Sequence, residues 1–96
     1  MRVVIDGAAV RTPADVHATL SRALDFGPYY GRNLQALWDR LTTDVERPVE
    51  LVWQDADLSR AALGEIPFAQ FRDLFLEVEE RDAGNAPGAR FTVTFV

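Results

Sequence analysis

Apolar positions recur along this chain with two periods, and each switch between them marks an element. Val3-Val4-Ile5 is β-branched and stops at Asp6-Gly7, which predicts a strand and then a turn. Thr12-Pro13-Ala14-Asp15 predicts a helix start: a capping hydroxyl, a proline suited to the first helical position, and an acid three residues after the cap. Val16, Leu20, Ala23 and Leu24 follow at helical spacing until Phe26-Gly27-Pro28 ends the run. After a loop over Tyr29 to Arg32, Asn33 is a natural N-cap. Leu34, Leu37, Trp38, Leu41 and Val45 then form one buried stripe with Trp38 at its edge. Gln35, Asp39, Thr42 and Glu46 form the polar stripe beside it.

The second half repeats the rhythm. Val49 to Trp53 follows Pro48 and reads as a strand buried mostly on both faces. Asp57 to Leu63 predicts a short helix ending at Gly64. Pro67 opens a longer one with Phe68, Phe71, Leu74, Phe75 and Val78 on its apolar face. Asp82 to Ala89 is rich in glycine and proline and reads as a loop, and Phe91 to Val96 alternates as a last strand. The order is β-α-α-β-α-α-β. Strands joined by helical crossovers run parallel, with right-handed connections. The prediction is therefore an α/β domain over residues 1–96, a three-stranded parallel sheet packed with about four helices.

Charge narrows the partner. The 96 residues carry 15 acids against 10 bases, all of them Arg, for a net charge of −5. Such a surface repels phosphate backbones, so a basic protein is expected as the partner and no direct nucleic-acid binding. The absence of cysteine excludes disulfides and thiolate metal sites, and it fits the cytoplasm. The N-terminal run lacks the long apolar core of a signal peptide, and no stretch reaches the length of a membrane span. The expectation is a cytoplasmic protein with no membrane contact.

Chemistry concentrates in Pro28-Tyr29-Tyr30-Gly31-Arg32-Asn33-Leu34-Gln35-Ala36-Leu37-Trp38-Asp39. Burying a helix face requires Leu34, Leu37 and Leu41, but not exposed aromatics with an acid beside them. That surplus has the composition of a protein-binding surface. Asp39, on a rigid helix, can enter a basic pocket and accept several Arg or His hydrogen bonds. The plainer alternative is a core Trp, a solvated Asp and two half-buried tyrosines. His17, the only histidine, flanks the first helix's apolar stripe and reads as a structural side chain bonded to nearby backbone. Asp55, Asp57, Asp73, Glu77, Glu79 and Glu80 could be imagined around a metal, but a solvated helix face accounts for them better. Glu77 and Arg81 have the spacing of an i, i+4 ion pair. No catalytic residue, cofactor or metal is expected.

The run Pro28-x-x-Tyr30-Gly31-x-Asn33-Leu34-x-Ala36-Leu37-Trp38-Asp39 resembles the barstar family of ribonuclease inhibitors. Val4-Ile5-Asp6-Gly7, the segment Thr42-x-x-Val45-Glu46-x-Pro48 and the order of elements resemble it too. The resemblance implies a cytoplasmic inhibitor, monomeric when free, that plugs the active site of a secreted guanyl-specific ribonuclease 1:1. It also implies the contact residues. Tyr29, Tyr30 and Gly31 lie on the loop, and Asn33, Leu34, Gln35, Trp38 and Asp39 on the helix. Thr42 and Glu46 flank them, and Glu77 matches an acid of the last helix. Asp39 matches the family's central acid, which occupies the place of a substrate phosphate. The chain departs from the family pattern where Gln35 and Arg32 replace acids and Asp44 replaces a tryptophan. These departures leave a second reading open, a barstar-like module for a different toxin or a regulatory partner.

Overall fold

A computed structural model describes all 96 residues, Met1–Val96. Its order is β1 (Arg2–Asp6), α1 (Pro13–Leu24), α2 (Leu34–Asp39), a π turn (Arg40–Asp44), β2 (Val49–Gln54), α3 (Ala56–Leu63), α4 (Glu65–Asp82), a 3-10 turn (Pro87–Ala89) and β3 (Phe91–Phe95). The three strands form one sheet in the order β1-β2-β3, and both pairs are parallel. This is the α/β architecture that the periodicity predicts. No helix is long and apolar enough to cross a membrane.

The capping residues act as their chemistry requires. Thr12 accepts from the Asp15 N–H, and the Asp15 carboxylate accepts from the N–H groups of Arg11 and Thr12. Those backbone bonds, the Arg11 one foremost, hold the Asp15 carboxyl below its ordinary range. Gly7 is a close-approach glycine: a methyl there would collide with the carbonyl oxygens of Gln54 and Asp55.

The core lies on one face of the sheet, against α1, α2 and α4. Trp53 is fully buried and donates through Nε1 to Ser59 Oγ, which in turn donates to the Gly7 carbonyl. The opposite face is open. Arg2, Val4, Asp6, Glu50, Gln54, Thr92 and Thr94 are exposed there. β2 is therefore not buried on both faces as its apolar run implies. On the open side only Val52 is buried, flanked in register by Val4 and Thr94.

Three further expectations change. Ala23 is exposed, and His17 takes a buried position on α1 instead. α4 begins at Glu65, before Pro67, and runs on to Asp82, so the first residue of the predicted loop is the last of the helix. Glu79 does not belong to a solvated face. Glu79 accepts from the Val93 N–H, and Asp82 accepts from the Phe91 N–H and the Arg47 guanidinium, each at 2.8 Å. The two acids thus satisfy N–H groups of edge strand β3, which would otherwise be free for pairing. Asp82 also ties the segment before β2 to the end of α4.

Candidate protein-binding surface

The surface begins with a loop fixed from inside. Tyr30 is buried at 6% exposure, in contact with the Phe26 ring, and its hydroxyl lies 2.6 Å from His17 Nδ1. Burial pushes the Tyr30 phenol up to about 12. Burial, reinforced by the Arg32 charge, holds the His17 imidazole below its ordinary value. At neutral pH both groups are therefore held uncharged, and they share one buried hydrogen bond. This corrects two expectations. The Tyr30 ring belongs to the core and not to an exposed aromatic pair, and His17 bonds a side chain, not backbone. The cause is a contact between residues 13 apart, which local periodicity cannot show.

Tyr29, its neighbour, is 92% exposed. Arg32 then adopts φ +54, a left-handed turn that sends the chain into the α2 cap. Asn33 caps α2 by accepting from the Ala36 N–H at 2.8 Å, and its amide donates weakly to the Gly31 carbonyl. A Cβ on Gly31 would lie 3.3 Å from the Ala36 Cβ, so a glycine lets the loop pass this close to the helix.

On α2, Leu37 is buried, Leu34 and Trp38 are half-buried, and Gln35 and Asp39 are exposed. The Gln35 amide reaches Asp39 Oδ1 at 3.5 Å. No ion pair of the chain involves Asp39. Past Asp39 the helix widens into the π turn. Here the hydroxyls of Thr42 and Thr43 donate to the Trp38 and Asp39 carbonyls, competing with backbone N–H groups for the same acceptors. The helix ends before Val45, which is extended, so the predicted polar stripe is cut short. Thr42 turns inward to the Trp38 carbonyl, and Glu46 stands exposed beyond the helix.

α4 completes the surface. Leu34, Gln35 and Trp38 face Gln70, Asp73, Leu74 and Glu77 across a shallow groove of about 410 Å³. Trp38 also borders a second groove with Glu77, Glu80 and Arg81. Glu77 is thus brought beside Trp38. Gln70, Asp73, Glu80 and Arg81 line these grooves in addition to the residues expected from the sequence. They recur at helical spacing beside the apolar stripe of α4, but periodicity does not say which helix that flank meets. The expected Glu77–Arg81 pair is absent, and Arg81 Cζ stands 5.8 Å from the Trp38 ring centroid. No group of three or more His, Asp or Glu side chains is placed to hold a metal ion.

The arrangement is an exposed helix face with shallow grooves and an unneutralised acid, suited to contacting another protein rather than enclosing a substrate. Comparison with known proteins agrees in kind. The chain is 43% identical over 63 residues to a Bacillus subtilis (strain 168) protein named "Putative ribonuclease inhibitor YrdF", an alignment covering 66% of this chain and 69% of that protein. Residues 1–95 match the family described as Barstar (barnase inhibitor). With the match running over nearly the whole length, the chain belongs to the barstar family.

Proposed function

We propose that this chain is not an enzyme but an inhibitor of a secreted guanyl-specific ribonuclease. It binds the active site 1:1 through α2 and the loop before it, and it acts in the cytoplasm as a monomer when free. The observation that carries this reading is Asp39, an exposed carboxylate on a capped helix, next to a half-buried Trp and paired with no cation of its own chain. A ribonuclease site gathers cations around a phosphate, and Asp39 supplies an anion in that place. Tyr29, Leu34 and Trp38 cover the surroundings and exclude water. Gly31 and Asn33 shape the approach, and Gln35, Thr42, Glu46 and Glu77 form the rim. Inhibition is steric, so no catalytic group, cofactor or metal takes part.

Titrating secreted guanyl-specific ribonucleases with the parent and Asp39→Ala, following RNA cleavage, tests the reading. Stoichiometric inhibition by the parent and a loss of about 3–5 kcal/mol of affinity in the variant are expected, because the enzyme's buried cations lose their counter-ion. Equal inhibition by the two proteins removes Asp39 from its central role. A folded parent that inhibits none of these enzymes favours a different toxin or a regulatory partner, a reading to which Asp44 and the neutral Gln35, both exposed, lend support.

A further inference from the structure

Around Trp38 the α4 side of the surface is acidic, with Asp73, Glu77 and Glu80, and Arg81 is the one cation lining the two grooves. Helix spacing would pair Arg81 with Glu77 one turn back. No ion pair of the chain involves Arg81; its guanidinium stands over the Trp38 ring instead. A cation–π contact consumes no N–H donor, so the planar fork remains free to bind an anion while the indole holds it in place.

We infer that Arg81, held on Trp38, is a specificity determinant that binds a carboxylate of the partner ribonuclease at the rim of its basic site. The inference rests on the ribonuclease-inhibitor reading. Asp39, Glu77 and Glu80, which form no ion pair within the chain, ask for cations on the facing protein, while Asp73 is already paired with Arg72; a cation opposite Arg81 would meet a fixed like charge. The partner that fits is therefore basic across its centre with an acid facing the last turns of α4. A carboxylate there accepts two N–H bonds from the guanidinium. Enzymes with Lys or Arg at that place are disfavoured by repulsion, which makes the residue a device for selecting among related enzymes.

The test uses the full chain with Arg81→Gln and Arg81→Glu, whose folding is checked by circular dichroism and thermal melting. Each is titrated against a panel of secreted guanyl-specific ribonucleases, with inhibition constants measured at low and high salt. Both variants vacate the indole, so the step from Gln to Glu differs by one added negative charge at this place. For an enzyme that the parent inhibits, Arg81→Gln should bind about 10–100-fold more weakly than the parent, as befits loss of a charge-assisted hydrogen-bonded pair. Arg81→Glu should be weaker again, and the gap should narrow in high salt. Equal binding by Gln and Glu variants, or tighter binding by Arg81→Glu, overturns the inference while leaving the inhibitor reading intact. A parent that inhibits no member of the panel ends both.

Discussion

Tyr29 and Tyr30 are adjacent in the chain and opposite in environment. Tyr29 is 92% exposed and has no packing role, whereas Tyr30 is sealed between Phe26 and His17. The two tryptophans repeat the contrast. Trp53 is enclosed with its N–H bonded to Ser59, while Trp38 divides two surface grooves under Arg81. A binding loop needs both kinds of residue. In the proposed complex the exposed ring would supply contact area, and the buried one would fix the backbone from which the contacts project, so that little ordering cost is left for the moment of association.

Removing each tyrosine separates those tasks. Tyr30→Ala should destabilise the fold by about 3–5 kcal/mol, the range for a buried aromatic, and urea unfolding would measure it. Tyr29→Ala should leave stability within about 0.5 kcal/mol and weaken ribonuclease inhibition by about 2 kcal/mol, as an interface aromatic does. A Tyr30→Ala protein that unfolds like the parent would dismiss the anchor. Unchanged inhibition by Tyr29→Ala would take the exposed ring out of the contact.

The contrast also marks the limit of legibility. Elements whose cause is local were readable: the Thr12–Asp15 capping box, the Asn33 cap, the stripe of Leu34, Leu37 and Leu41, and the parallel sheet implied by two helical crossovers. Tyr29 and Tyr30 look alike to any local pattern, because their difference comes from His17, on α1 and 13 residues before Tyr30. The same holds for Glu79, which reads as solvated, and for Asp82, which reads as loop, until β3 is seen to need partners for its outer N–H groups. It holds as well for Asp73 and Glu80, whose place at the site depends on how α4 lies against α2. The π turn after Asp39 is a subtler failure, since Thr42 and Thr43 fit a helical pattern while their hydroxyls divert the carbonyls that would continue it.

The His17–Tyr30 contact should be visible in the pH dependence of stability. The folded state keeps His17 neutral below its ordinary value of 6.5, so on acidification the unfolded chain takes up the proton first. This contribution is complete above about pH 6.5 and is lost as pH falls below it, with a slope of at most about 1.4 kcal/mol per pH unit for one proton. At the alkaline end the sign reverses. The unfolded Tyr30 ionises near 10 and the folded one at about 12, so stability falls as pH rises through that interval. Urea midpoints across pH should show both slopes. His17→Gln should flatten the slope that sets in below about pH 6.5, and an unchanged slope would assign the acid sensitivity to other groups. Tyr30→Phe, which removes only the hydroxyl, should cost about 1 kcal/mol at pH 7 and abolish the alkaline loss.

The smallest effect tests how the exposed layer acts on the buried one. Arg32 sits at φ +54 between Gly31 and the α2 cap, and its charge adds to burial in depressing the His17 imidazole. Arg32→Gly relieves the left-handed backbone but loosens the unfolded chain, so stability should stay within about 1 kcal/mol of the parent. The sharper readout is His17 itself. With the guanidinium gone, its titration midpoint, followed through the imidazole proton resonances, should move up toward 6.5 while remaining below it, because burial, the larger cause, persists. A midpoint that does not move would mean that the loop's charge is screened from the anchor. The pH response of the fold would then belong to the buried pair alone, with no contribution from the surface it supports.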